Sequence, residues 1–194
     1  MYSYFRKLSR AMAYLGGLML TVLIVMTCIS IVGRSLNGIL HSDTVVAMAP
    51  VLSHWLLDLG IGPVNGDFEL VEAGVAFAIF AFLPLCQITG GHASVDIFTS
   101  RLSPRADRIL QMLIDVLFAC VLVLVAMQLF GGMLSKLRSG QTSFQLEFPV
   151  WWGYALCMFG ATMAAIVSVF IAVMRVFGVM QGVDQLPEME GADH

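Results

Sequence analysis

Hydrophobic positions in this chain form four long blocks that are separated by shorter polar segments. The blocks cover residues 11–33, 73–91, 116–135 and 148–174, and none of them contains Asp, Glu, Lys or Arg. At a rise of about 1.5 Å per residue, roughly 20 helical residues cross the ~30 Å hydrocarbon core of a bilayer, where the backbone must satisfy its own hydrogen bonds. The pattern therefore predicts an all-α membrane protein with four transmembrane helices, at approximately 11–33, 73–91, 110–135 and 148–174.

Composition supports a membrane environment. Of the 194 residues, 59% are hydrophobic and only 12% are charged, whereas soluble domains carry about 25% charged residues. The cysteines fall one in each block and lack the CxxC spacing of zinc sites, so they are interpreted as small buried hydrophobes. These four cysteines are Cys28, Cys86, Cys120 and Cys157.

The segment between the first two spans, residues 35–72, contains a shorter apolar stretch. Residues 44–57 are too few to cross a bilayer and are interrupted by Pro50. Such a segment is typical of a helix that lies at the membrane interface or is buried against protein. We therefore predict a short interfacial helical segment over residues 44–59, with Trp55 as an interfacial anchor. His and Asp residues in this region lack the spacing of a metal site, and no metal is predicted.

The distribution of Lys and Arg predicts the orientation, because cytoplasmic loops of membrane proteins are enriched in these residues. If both termini are cytoplasmic, three basic residues lie outside and seven lie inside. The outside set is Arg34, Lys136 and Arg138, and the inside set is Arg6, Lys7, Arg10, Arg101, Arg105, Arg108 and Arg175. We therefore expect both termini in the cytoplasm, followed by a polar and disordered tail at 181–194.

The polar segment 90–108 concentrates charge between the second and third blocks. His92 and Asp96 are four residues apart and would share one face of a helical extension. Ser103 followed by Pro104 is typical of a helix N-cap and first helical position. A catalytic His–Asp dyad would also require a nucleophile and a pocket, and the sequence offers neither nearby. The segment is therefore interpreted as a short cytoplasmic turn.

Two further features concern the third and fourth spans. Asp115 lies near the start of the third span, where it could pair with Arg108 or Gln111 or face a partner. The fourth span opens with FPVWWGY, whose aromatic residues are typical of an interfacial belt. The anchors predicted there are Trp151, Trp152 and Tyr154.

Several short motifs and their order along the chain resemble the DctQ-type small membrane subunit of TRAP (tripartite ATP-independent periplasmic) transporters. The resemblance covers nearly the whole chain. Its carriers are Val32-Gly33-Arg34, Glu72, Gly91-His92 with Val95-Asp96, the turn with Pro104, Arg105 and Arg108, and the polar loop Gly140–Pro149 before the Trp-rich start of span four.

This resemblance implies a non-enzymatic subunit without cofactor, catalytic residue or metal, in the bacterial inner membrane. Its implied partners are a large DctM-type subunit that carries substrate and sodium ions, a DctP-type periplasmic substrate-binding protein, and membrane lipids, but no nucleic acid. The implied role is to scaffold the large subunit and to help dock the binding protein during uptake of an organic acid. Candidates for structural or subunit contacts are Arg34, Glu72, His92, Asp96, Arg105, Arg108 and Asp115.

Two other functions remain open on the sequence alone. The chain could be a self-sufficient small channel or carrier, although its spans hold only scattered Ser, Thr and Gln. It could also be a membrane redox or enzyme subunit, although no histidine lies within a span to ligate a buried haem.

Overall fold

A computed structural model describes residues 2–48, 50–90 and 104–181 of the chain. Helices dominate these residues, and four of the helices are long and apolar enough to cross a membrane, which confirms the predicted all-α membrane fold. The helices are α1 (Tyr2–Leu40), α2 (Asp43–Met48), α3 (Pro50–Asp58), α4 (Asp67–Thr89), α5 (Pro104–Ser139) and α6 (Trp151–Gln181).

The spanning helices differ in length. The longest are α1 with 39 residues and α5 with 36, and the shortest is α4 with 23. At about 1.5 Å per residue, α4 just covers a ~30 Å hydrocarbon core, whereas α1 and α5 exceed it by several turns. Glycines in the left-handed conformation, Gly66 with φ 73° and Gly90 with φ 63°, flank α4. Such glycines end helices without the steric cost of a β-carbon.

The four spanning helices form an open row in the order α1, α4, α6, α5, in which neighbours along the row pack together. Spanning helices that follow one another along the chain run in opposite directions. At one end the hydroxyl of Tyr2 donates to the carbonyl of Ile88, and Phe5 stacks on Phe170 with 4.4 Å between ring centroids. We call this the termini end, and the opposite end, which carries residues 41–66 and 140–150, the loop end.

Burial follows position in the row. In an 18-residue apolar stretch of α6, half is buried within the chain, whereas only 11% of the corresponding stretch of α5 is buried. Small residues bring α6 close to its neighbours: Ala161 and Ala164 are fully buried, and a β-carbon on Gly160 would lie 2.8 Å from the β-carbon of Phe80 on α4. Small residues at such contacts allow close packing of membrane helices. The core therefore runs along α4 and α6, and α1 and α5 form the two edges.

Candidate functional site

Asp67, in the first turn of α4, fastens α4 to α1 at the loop end. Its carboxylate accepts a hydrogen bond from the Ser30 hydroxyl at 2.5 Å and pairs with the Arg34 guanidinium at 3.3 Å. The Ser30 oxygen also accepts the backbone N–H of Val64 at 3.2 Å. Because Ser30 is fully buried and Asp67 is nearly so, each polar group here needs these partners. Asp67 thus joins α4 to α1, and Ser30 joins the connecting segment to the same cluster.

The backbone of α1 and the backbone of the connecting segment also approach each other closely at this junction. A β-carbon on Gly33 of α1 would collide with the carbonyl oxygen of Gly62. One turn further along α1, the Asn37 side-chain amide donates to the carbonyl of Ile61 at 3.1 Å. Glycine at residue 33 therefore lets the connecting segment lie directly on α1.

The segment between α5 and α6, residues 140–150, forms a short hairpin at the loop end. The backbone N–H of Ser143 donates to the carbonyl of Phe148 at 2.9 Å, and the N–H of Val150 donates to the carbonyl of Gln141 at 3.0 Å. These bonds leave the Phe144 side chain 98% exposed. The hairpin therefore presents an aromatic ring to the surroundings of the loop end.

Glu69, also in the first turn of α4, holds this hairpin. Its two carboxylate oxygens accept the backbone N–H groups of Gln145 at 2.8 Å and Leu146 at 3.1 Å. The Leu146 side chain packs directly on Gly66, where a β-carbon would collide with it. Hydrogen bonds from N–H groups to an ionised carboxylate are stronger than those between neutral groups. The first turn of α4 thus fixes both α1 and the hairpin.

We expect Glu69→Ala to open the hairpin, because the variant removes the acceptor of two backbone donors. Hydrogen exchange at the amides of Gln145 and Leu146 should accelerate at least about tenfold, as expected when a local hydrogen-bonded unit is released. Glu72→Ala is the matched control, since Glu72 is an exposed acid one turn further along α4. Equal exchange in both variants would show that Glu69 does not hold the hairpin.

An ion pair joins α5 to α6 near the termini end. Asp115 Oδ2 and Arg175 Nε lie 2.5 Å apart, although their geometry is not that of an N–H···O hydrogen bond. Arg175 Nη1 also donates to Gln111 Oε1 at 2.5 Å, and Gln111 Nε2 donates to Asp107 Oδ2 at 2.9 Å. The side chains of Arg175 and Asp115 are only 13% and 18% exposed. Paired charges in such a position connect the two helices.

The structure pairs Asp115 with Arg175, a partner that the sequence analysis did not consider beside Arg108 and Gln111. The apolar block ends at Met174, so Arg175 was interpreted only as a charge beyond the span. In the structure α6 continues to Gln181, and Arg175 lies against α5. The positive charge of Arg175 therefore belongs to the contact between α5 and α6.

The remaining predicted residues are distributed over α4, α5 and the part of the chain outside the described residues. Arg105 and Arg108 lie in the first turns of α5, and Glu72 is exposed on α4. His92 and Asp96 lie outside the described residues, as do residues 182–194 of the predicted tail, whereas Gln181 is the last residue of α6. Within 2–48, 50–90 and 104–181, no group of three or more His, Cys, Asp or Glu could hold a metal ion.

The predicted aromatic anchors occupy different surroundings. Trp55 and Trp152 are 59% and 52% exposed, and the rings of Trp151 and Trp152 meet edge to face. Tyr154 instead packs on α5, where a β-carbon on Gly132 would lie 2.8 Å from its ring. Tyr154 therefore contributes to the contact between α5 and α6, and the anchoring roles remain predictions.

Comparison with known proteins identifies the family. The model of the family described as Tripartite ATP-independent periplasmic transporters, DctQ component, matches residues 23–178. This range contains the Asp67 cluster, the hairpin and the Asp115–Arg175 pair. No curated protein and no solved structure matches the chain. The family is one of transporter components rather than enzymes, and the resemblance found in the sequence is confirmed: this chain belongs to the DctQ family, as the small subunit of a TRAP transporter.

Proposed function

We propose that this chain scaffolds a large, DctM-type transport subunit and helps to dock a DctP-type periplasmic substrate-binding protein. The observation that carries the proposal is the open row of helices. The edge helices α1 and α5 each pack mainly on one neighbour, and large apolar side chains are exposed over much of their remaining surface. A row of this kind offers broad apolar faces to another membrane protein.

The exposed face of α5 illustrates this surface. Large apolar side chains follow one another at intervals of three, four or seven residues and are each more than half exposed. Residues at such spacing share one side of a helix. We propose that α5 packs on the large subunit through this side, which comprises Leu113, Leu117, Leu124 and Met127.

The internal ties suit a supporting role. Asp115 is paired with Arg175 and Asp67 with Arg34, so these charges fix helices of the same chain. Paired groups of this kind hold a defined arrangement of helices. We propose that the row acts as a rigid body against which the large subunit moves its substrate.

The loop end is the proposed docking area for the binding protein. The hairpin is held by Glu69 and presents Phe144, and exposed aromatic side chains are frequent anchors at protein interfaces. This assignment requires the loop end to face the periplasm, with both termini in the cytoplasm of a bacterium. The excess of Lys and Arg at the termini end supports that orientation.

Family membership supports the remaining parts of the proposal. In this account the transported solute is an organic acid and the coupling ion is sodium. We assign both to the large subunit, because the two ion pairs described in this chain, Arg34 with Asp67 and Arg175 with Asp115, join its own helices. The small subunit then positions the large subunit and helps to dock the substrate-binding protein, and it forms no solute path.

The subunit contacts are tested by alanine substitution and co-purification with the large subunit. Arg34→Ala, Glu72→Ala, His92→Ala and Asp96→Ala are expected to reduce recovery of the complex, and Arg138→Ala, an exposed residue at the loop end, serves as the control. Thermal stability of each isolated variant separates lost contacts from loss of fold. An unchanged complex together with unchanged solute uptake would remove the assignment.

A further inference from the structure

We propose that α3 lies in the lipid headgroup layer and inserts one side, formed by Val51, Trp55 and Leu59, into the boundary with the acyl chains. The proposed ligand is a zwitterionic lipid surface. The inference concerns a part of the loop end that the proposed docking hairpin does not include, and it does not depend on the transport role.

The side chains of α3 divide into three sectors. Ser53 is 1% exposed and its hydroxyl donates to the carbonyl of Leu40 at 2.7 Å, which fixes the protein-facing sector on the end of α1. The second sector is apolar and open: Val51 is 82% exposed, Trp55 59% and Leu59 60%. These three residues follow at intervals of four, and the N–H of Leu59 still bonds to the carbonyl of Trp55.

The third sector is polar. His54 and Asp58 are both exposed and lie next to the apolar sector around the helix. A helix that meets protein, hydrocarbon and water on three successive sides fits the boundary of a membrane protein better than bulk water. Tryptophan is also the residue type most typical of this layer.

The level of α3 along α1 supports the same placement. Exposed apolar side chains on α1 continue beyond the predicted span to Leu36, at 43%, and Ile39, at 56%. Ile39 precedes Leu40, to which Ser53 of α3 is bonded. The apolar outer surface of α1 thus reaches the height at which α3 is attached.

Charge defines the kind of lipid surface. No Lys or Arg occurs between Arg34 and Arg101, and α2 and α3 carry the acids Asp43 and Asp58. Basic interfacial helices bind anionic lipids, and their binding weakens with salt. This segment lacks that attraction, so its contact with the membrane depends on apolar burial alone.

The test follows the fluorescence of Trp55 in the full chain in nanodiscs of zwitterionic lipid, with and without the large subunit. Subtracting the spectrum of Trp55→Phe isolates Trp55 from Trp151 and Trp152. We expect emission shifted to shorter wavelength than that of tryptophan in water. Quenching by a nitroxide near the lipid headgroup should exceed quenching by one at the end of the acyl chain.

Aqueous iodide should quench Trp55 at least about threefold less than it quenches tryptophan in water, since interfacial helices bury their apolar side roughly 5–10 Å into the headgroup boundary. High salt should leave these values unchanged, and anionic lipid should not strengthen the contact. Full access to iodide would overturn the proposal, as would protection from both iodide and nitroxide lipids, which means burial against protein. Loss of the lipid contact in high salt would overturn the proposal that apolar burial alone holds α3 at the membrane.

A matched pair of variants tests which side inserts. Val51→Asp places a charge in the apolar sector and should raise iodide quenching of Trp55 at least about twofold, because a carboxylate at the acyl boundary is unfavourable. His54→Asp places the same group in the polar sector and should leave the quenching unchanged. Equal effects, or shielding of Trp55 from lipid quenchers by added substrate-binding protein, would contradict insertion of this side.

Discussion

Replacing Arg175 with methionine is expected to lower the free energy of unfolding by about 1–3 kcal/mol, the usual cost of removing one partner of a largely buried polar group. The variant removes the cation that pairs with Asp115 between α5 and α6 and a donor to Gln111. Because α5 packs mainly on α6, weakening this contact releases an entire edge of the row. Equilibrium unfolding in mixed detergent micelles measures the change.

Two comparisons isolate the pair. Arg138→Met removes an exposed cation from the other end of α5 and should change stability by less than about 0.5 kcal/mol, as for most surface substitutions. The double variant Asp115→Leu with Arg175→Met should recover most of the loss, since apolar residues can replace a complete buried pair. If Arg175→Met is no less stable than Arg138→Met, the ion pair does not hold α5 on α6.

Gly33→Ala is expected to destabilise the loop end by about 1–3 kcal/mol, the range found when extra atoms are forced into packed sites. The new β-carbon would collide with the carbonyl oxygen of Gly62, which is backbone and cannot move aside as a flexible side chain would. The segment must therefore lift from α1, and the hydrogen bond from Asn37 to Ile61 should weaken. Thermal unfolding and hydrogen exchange of residues 60–64 measure both effects.

Gly38→Ala provides the control within the same helix. Nothing lies within 4 Å of a β-carbon at this residue, so the substitution should stabilise α1 by about 0.5–1 kcal/mol through helix propensity alone. Opposite signs for the two variants are the specific expectation. A Gly33→Ala protein as stable as Gly38→Ala would show that the connecting segment does not rest on residue 33.

The spanning helices could be predicted from the sequence because hydrocarbon imposes a simple rule: about twenty apolar residues without charge form a helix. The order of the helices in the row could not. Leu117 and Leu122 of α5 are the same residue type, yet the first is exposed and the second is buried. In a membrane, hydropathy does not distinguish a lipid-facing side from a packed one, so the pattern carries no signal for the order.

The polar contacts were predictable only in part. Asp67 and Glu69 follow Gly66 at the start of a helix, where acids are favourable, so their positions carried a signal. Their partners did not, because Glu69 binds backbone N–H groups of the hairpin, which every residue but proline possesses. The contact of Arg175 with α5 was not predicted, because the apolar block ends one residue earlier, at Met174. Its pairing with Asp115 depends on how the two helices pack.

In its proposed role, this small subunit supports a transporter and forms no solute path of its own. The most direct test measures uptake of a radiolabelled organic acid into sodium-energised liposomes. The liposomes contain this chain alone, or this chain with the large subunit and the substrate-binding protein. The account predicts uptake only for the complete set, with the chain alone equal to protein-free liposomes. Sodium-dependent uptake by liposomes that contain this chain alone would contradict it.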